Sequence, residues 1–570
     1  MPGIAATRPL WHRAPLSWSD RLLAFVESGH SRASAVLLAL SLLCFTPGLA
    51  SLHPMDRDEP RFAQATKQML ETGDYVDIRF QDEVRYKKPI GIHWMQAAAV
   101  GLAEAGGASS ARTAIGVYRI PSALGAVAAV LLTYWAALAF LGRREAFLAA
   151  VLVGSSLILA VEARLAKTDA VLLACCVAAF GGLARAYLGR FAGRQPASTA
   201  IIFWAAFALG VLVKGPMIAL FMGLPAALLS FRERSLAWLG GLRPGLGLLA
   251  VAALVLPWFG AIAWKSGGEF YRLAVGDDLL GKVTTGQQKH GAPPGFYLLS
   301  FFATFWPGAI LAAIAAPFVW RERRDDRIAF ALASILPAWA LFELFPTKLP
   351  HYVMPVYPVV AIVTVLAIVR GAVGPHRPGA RFAFAAMPLI PAGIAAGLCY
   401  AAWTLDGALP VAALPLLLAA IALSVAGWLA FNRNQVAGAA LTGAAASALL
   451  SIGVFGLAQP VLASLKLSPR LAEAVGRSAC SNPAVATLGY REPSLVFLVG
   501  TGLDMVEQPA EAAEFLRGPG CRVALVDSRF EPAFRAALGR EPATLARVRG
   551  FNINGGRVVE IAAFAPAPQP

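Results

Sequence analysis

The stretch "IHWMQAAAVGLAE" runs from Ile92 to Glu104, and whether it crosses a membrane decides the fold. The 570-residue chain is 58% hydrophobic and 14% charged, where ordinary globular proteins carry about a quarter charged residues. Its mean hydropathy is +0.62. Apolar runs long enough to span, about 20 residues, lie at 33–52, 117–141, 144–163, 168–188, 197–213, 216–231, 245–264, 295–320, 328–346, 352–373, 382–403, 409–431 and 436–462. Segment 92–104 is shorter. Arg143/Arg144, Arg185/Arg190/Arg194, Arg232/Arg234/Arg243, Arg321/Arg323/Arg324/Arg327 and Arg370/Arg377/Arg381 occupy every second connection. Cytoplasmic loops are enriched in Lys and Arg, and putting these loops and the N-terminus in the cytoplasm requires that 92–104 does not cross. The prediction is thirteen spans with the C-terminus outside.

This division gives a cytoplasmic segment 1–32, a transmembrane domain 33–462 and a tail 463–570. The outer face then holds a first loop, 53–116, a second loop, 265–294, and the tail. In the first loop, "PRFAQATKQML" (60–70) spaces Phe62, Ala65, Thr66 and Met69 as one helical face, which predicts an amphipathic helix lying in the interface. The tail alternates strand-like "VFLV" and "RVALVD", helix-like "AAEFLRG" and a closing "GRVVEIAAFA", which predicts a small α/β domain. A formal net charge of +16 fits cytoplasmic loops facing anionic headgroups better than nucleic acid, for which no binding signature occurs. The first apolar run begins after Arg8, Arg13, Arg21 and Arg32 without a cleavage pattern, so no cleaved leader is expected.

Ionisable residues at membrane depth are costly, so their clustering is informative. Charges gather at the outer ends of the spans in "DRDEP" (56–60), "RYKKP" (85–89), "EARLAKTD" (162–169), "VKGP" (213–216), 277–294 and "TKLPHYVMPVYP" (347–358). Lysines and arginines predominate there, as a phosphate on a lipid carrier requires. Taken singly, each has a plain structural reading. Asp58 and Asp169 can be helix caps, Lys87 and Lys88 can snorkel, and Lys214-Gly215-Pro216 can be only a turn. No HExxH, CxxC or Walker pattern occurs; no metal site is predicted, and a divalent cation has no motif to support it.

Together, "RDEPRFAQ", "YKKPIGIHW", "TDA", "VLVKGP", "HGAPPGFYL" and "KLPHYVMPVYP" resemble the ArnT-type glycosyltransferases, relatives of the protein O-mannosyltransferases, over roughly residues 30–370. The resemblance implies the C-type glycosyltransferase fold: an α-helical polytopic protein of about thirteen transmembrane helices with a small C-terminal α/β domain in the periplasm. It implies an inner-membrane enzyme that moves sugar, with inversion, from an undecaprenyl or other polyprenyl phosphate to a periplasm-facing acceptor, lipid A or lipopolysaccharide. By position, Asp58 matches the catalytic aspartate, Asp169 a further acidic residue, Lys88 the phosphate-binding lysine and His290 the loop histidine. Lys87, Arg85 and Lys282 are expected to assist at the phosphate. Glu59, Arg61, Glu162, Lys214, Lys348, His351 and Tyr352 are further candidates for the substrate cavity. Lys87 stands where that family commonly has Glu, and Lys282 where it has a loop arginine. A more cationic pocket fits an acidic or neutral sugar better than an amino sugar.

Two other readings stay open: the same chemistry on protein hydroxyls or a polysaccharide, and a flippase for lipid-linked sugars. A flippase should show inverted repeats, and none is detected. A monomer is expected. Cys480 and Cys521 are the tail's only cysteines; in an oxidising periplasm they are predicted to form a disulfide.

Overall fold

The structure is a computed structural model and describes residues 17–55, 57–192, 195–280, 291–478, 480 and 482–567. In chain order its first helices are α1 (Trp18–Glu27), α2 (His30–Phe45), α3 (Asp58–Thr72), α4 (Gly91–Ala105), α5 (Ile115–Ala137), α6 (Arg143–Gly154), α7 (Leu157–Glu162), α8 (Asp169–Leu188), α9 (Ala197–Lys214), α10 (Met217–Glu233) and α11 (Pro244–Lys265). Among the described residues, nine helices are long and apolar enough to cross a membrane. The other four expected spans are also helical, but shorter or broken: α2, α10, the pair α6–α7, and the pair Phe296–Thr304 and Ala309–Arg321. Helix α4, the segment that decides the topology, is not among the nine.

The break between α6 and α7 has a chemical cause. The hydroxyls of Ser155 and Ser156 bond back to the carbonyls of Val151 and Val153, each at 2.7 Å, which competes with the helical ladder. Neighbouring helices then take the groups set free: Ser447 Oγ donates to Ser155 O at 2.7 Å, and Leu157 N donates to Trp306 O at 3.3 Å. Irregular backbone survives at membrane depth only when it is satisfied in this way.

Helix α8 is apolar all round and buried along most of its length, as a central helix must be. Its partner α5 approaches so closely at Gly125 that an added Cβ would lie 2.9 Å from the Val171 backbone. At about 1.5 Å per residue, α8 carries the chain from Asp169 to the opposite end of the bundle. There Arg190 and Arg232 pair with Asp326 at 2.7 and 2.9 Å, so arginines of successive Arg-rich loops meet at that end.

The amphipathic helix expected over 60–70 forms as α3, and both of its faces pack on protein. Its apolar residues Ala65 and Met69 pack with Ile78, Tyr86, Trp258 and Phe270, while its polar side is buried against the tail. Gln64 Nε2 donates to Thr501 Oγ1 at 2.7 Å, Lys67 Nζ to Phe497 O at 3.1 Å, and Thr501 Oγ1 to Glu71 at 2.7 Å. Gln64, Lys67 and Gln68, opposite the apolar stripe, are buried against protein.

The tail contains a five-stranded sheet. A small hairpin, β1 (Arg79–Phe80) and β2 (Glu83–Val84), precedes it in the chain; the sheet itself comprises β3 (Ala484–Leu488), β4 (Asp504–Val506), β5 (Arg522–Asp527), β6 (Ala543–Asn552) and β7 (Arg557–Ala565). Its order is β4-β3-β5-β7-β6, with β4, β3 and β5 parallel and β7 and β6 antiparallel. Strands β3 and β5 are buried on both faces, and the two faces build separate cores. "VFLV" is a helix, Pro493–Val499, and not a strand. Pro493 pre-sets its first turn, and a short apolar run has no period to separate the two. Cys480 and Cys521 are joined, with Cα atoms 6.4 Å apart.

Candidate active site

The N-terminus of α3, the Lys87-Lys88-Pro89 segment, the start of α8, the end of α9 and the segment around His351 converge on one cavity of about 740 Å³. Asp58, in the first turn of α3, lines it with a side chain 52% exposed. Arg85 holds that carboxylate from behind, with Nη2 at 3.8 Å. Its own place is fixed by stacking on Phe62, 4.8 Å from the ring centroid, and by a 2.7 Å bond from its backbone N to Ile78 O. Lys87 and Lys88 both line the cavity, and Lys88 Nζ donates to Lys87 O at 2.9 Å. Gly215, at φ +62 with Pro89 beside it, makes the turn that ends α9 and leaves Lys214 at the wall.

Behind this face lies a buried charge network. Lys214 Nζ bonds Asp169 Oδ1 and sits 5.7 Å from the Tyr352 ring centroid. The His351 ring stands between two carboxylates, with Nδ1 3.3 Å from Glu162 and Nε2 3.5 Å from Asp169. Lys167 Nζ is 3.6 Å from Glu162. Charges this deep persist only when paired, and here two carboxylates face two ammonium groups and an imidazole. Glu162, Asp169 and His351 could hold a metal, since their ligand atoms lie within 4.8 Å of one another. An ion there would have to displace Lys214 from Asp169 and turn one imidazole nitrogen away from its carboxylate.

Asp58, Lys87, Lys88, Asp169, Lys214, His351 and Tyr352 thus share one cavity, with Arg85 and Glu162 touching its members. Three candidates lie elsewhere. Glu59 is fully buried and gripped by Arg119 at 2.7 and 3.0 Å, while accepting from Ala166 N and Met55 N; it fastens α3 in place. Lys348 donates to the carbonyls of Phe342, Glu343 and Phe345 and so caps the helix Asp326–Leu344. Arg61 does not line the cavity. Lys282 and His290 lie outside the described residues. The sequence reading missed the apolar wall, to which Phe221, Phe259, Phe270, Tyr271 and Phe342 contribute. These aromatics carry no charge to single them out, and their only signal is their position at the span ends that bear the lysines.

A deep apolar cavity ending in lysines and one accessible carboxylate suits an amphiphile with an anionic head. Together with a broken-helix bundle and an α/β tail, it places the chain in the C-type glycosyltransferase fold. The structure superposes on ArnT from Cupriavidus metallidurans bound to undecaprenyl phosphate with a TM-score of 0.72 at 17% identity, covering 94% of this chain and 99% of that one. The apo state of the same protein gives 0.70. In sequence, residues 87–260 match the family described as dolichyl-phosphate-mannose-protein mannosyltransferase. Similar chains include the undecaprenyl phosphate-alpha-4-amino-4-deoxy-L-arabinose arabinosyl transferases of Pseudomonas fluorescens Pf0-1, 29% identical over 55% of this chain and 53% of that one, and of Pseudomonas aeruginosa UCBPP-PA14, 28% identical over 55% and 57%. The matched region spans about half the length of these curated relatives.

Proposed function

We propose that this chain is an integral inner-membrane glycosyltransferase. It moves a sugar from undecaprenyl phosphate, or a similar polyprenyl phosphate, to lipid A or lipopolysaccharide at the periplasmic face. The observation that carries the reading is one cavity lined by Asp58, Lys87 and Lys88 together with an aromatic wall. The prenyl chain lies along that wall. Lys88, with Lys87, binds the carrier phosphate and stabilises the charge that develops on it as the sugar–phosphate bond breaks. An acceptor oxygen attacks the anomeric carbon from the opposite side, with inversion, and its proton passes to Asp58. Polyprenyl phosphate leaves. Asp169 is already committed to Lys214 and His351, so it orients the lysine wall and leaves proton transfer to Asp58.

The fold similarity and the named relatives support this class of chemistry. Arg190 and Arg232 cluster at the end of the bundle opposite the cavity, in keeping with a cytoplasmic location for that end and a periplasmic one for the cavity and tail. Lys87 favours a neutral or acidic sugar over an amino sugar. The test is mass spectrometry of lipid A, core and envelope glycans from strains with and without the gene, alongside transfer by the purified protein. Loss of a sugar from lipid A or core is the expected result. A change confined to glycoproteins or polysaccharide would move the acceptor, and no change in any glycan would overturn the reading.

A further inference from the structure

The tail has a crevice of its own at the carboxyl ends of its parallel strands. The helix Pro493–Val499, after β3, packs on one face of the sheet, and the helix Pro509–Arg517, after β4, packs on the other. Connections that diverge in this way open a gap beyond the strand ends, the usual place for a ligand in an α/β sheet. Here the gap is a cleft of about 530 Å³. Gly489 ends β3 at its floor with φ +85, and a Cβ there would lie 2.8 Å from both Asp527 and the Phe530 ring. Any side chain at this position would collide with these two residues.

Three guanidinium groups reach the cleft: Arg491 after β3, Arg557 from the β6–β7 hairpin, and Arg57 from the first loop of the membrane domain. Each faces a carboxylate, Arg491 with Glu507 at 2.8 Å, Arg57 with Glu492 at 3.5 Å and Arg557 with Asp527 at 4.0 Å. All three arginine side chains are about half exposed; Glu492 and Asp527 are buried, whereas the Arg491–Glu507 pair is open to solvent on both sides and contributes little. A phosphate can take the place of Glu507 on Arg491, because the arginine fork binds it in two-point geometry, and the exposed sides of Arg57 and Arg557 can add to it while Glu492 and Asp527 stay in place. Glu492, Glu507 and Asn552 add partners for hydroxyl groups.

The cleft also adjoins the reaction cavity through the chain itself. Arg57 lines the cleft and Asp58 lines the cavity, and the Cα atoms of consecutive residues lie about 3.8 Å apart. We propose that the cleft at the carboxyl ends of β3, β4 and β5 binds the phosphorylated saccharide head of the acceptor and presents it to Asp58. This inference rests on the transferase reading above and adds an acceptor subsite to it.

The test uses full-length protein in nanodiscs, wild type against Arg491→Ala/Arg557→Ala, with Arg491→Lys as a milder variant. Three quantities are measured: the affinity for a soluble bisphosphorylated glucosamine disaccharide, the affinity for undecaprenyl phosphate, and kcat and KM for lipid A. The double variant should lose tenfold or more in disaccharide affinity and raise KM for lipid A by a similar factor. Its kcat and carrier affinity should stay within twofold of wild type, and Arg491→Lys should fall between the two. Unchanged disaccharide affinity and KM would overturn the cleft while leaving the transferase standing. Equal binding of the unphosphorylated disaccharide would overturn the phosphate role. Arginine-dependent binding of the disaccharide by a protein that transfers nothing would support the cleft and sink the transferase reading.

Discussion

Arg119 grips Glu59 through both carboxylate oxygens, at 2.7 and 3.0 Å, where neither side chain reaches solvent. The same guanidinium donates to the carbonyls of Leu49, Leu52 and His53, so one arginine ties the start of the first loop to α5. Glu59 is the neighbour of the proposed base, and its effect on turnover comes through the position of α3. Removing one partner of a buried pair strands the other, at a cost of about 3–5 kcal/mol. Glu59→Ala and Arg119→Ala should each lower the melting temperature in detergent sharply. A melt that matches wild type would show that the clamp does not hold α3.

Asp58→Asn should behave in the opposite way. Its side chain is half exposed, so the melt should stay near wild type, while transfer by the purified protein falls by roughly 10²–10⁴ with a hydroxyl acceptor, the usual worth of a positioned base. Asparagine caps a helix as well as aspartate does. Normal turnover would therefore return Asp58 to a capping role.

Lys88→Ala should weaken binding of undecaprenyl phosphate by about ten- to a hundredfold, the range for a lost hydrogen bond to a charged group at about 1.5–3 kcal/mol. Lys87→Ala should cost less, because Lys87 is exposed whereas Lys88 is half-buried. Titration of the carrier into each variant measures the order. Equal affinity in all three proteins would remove the phosphate from this segment.

Acid should loosen the tail. Burial raises the pKa of Asp527, but hydrogen bonds from Arg529 and the charges of Arg529 and Arg557 outweigh it and hold the group below the ordinary value. Arg547 and Arg535 hold Glu531 down in the same sense. A depressed folded pKa contributes stability that is present above the unfolded value, about 4, and is lost as pH falls through the folded one. Hydrogen exchange of β5 and β7, corrected for intrinsic rates, should show protection falling below about pH 4, with a shallower fall in Asp527→Asn. The same slope in both proteins would rule Asp527 out as a source.

Labelling denatured protein with a maleimide should modify Cys44, Cys175, Cys176 and Cys399 without reductant and add Cys480 and Cys521 only after reduction. The bond closes a loop with a sequence separation of 41, worth about 3–4 kcal/mol by loop entropy. Labelling of all six without reductant would end the disulfide and send the topology that motivated it to an independent test.

Much of the fold was legible in the sequence because spans and arginine loops obey a length rule and a charge rule that act locally. The site was legible as clusters and not as individual residues. Asp58 and Glu59 look alike in "DEP", but successive helical residues point about 100° apart, so one faces the cavity and the other Arg119. Lys348 looked like a cavity lysine because its cluster lies at the right depth; its role as a helix cap depends on where the preceding helix stops. The partners of α3's polar face were not legible for a related reason. Gln64 and Lys67 find their partners in the tail, at Thr501 and Phe497, more than 400 residues along the chain, and no local pattern announces such a partner.

The burial of that polar face decides what can be exchanged between relatives. A tail swapped alone would leave Gln64, Lys67 and Glu71 facing strange surfaces, and a chain cut after residue 462 would leave them facing water beside the proposed base. The transplantable module is α3 together with the tail, two pieces separated in sequence that would have to diverge in step.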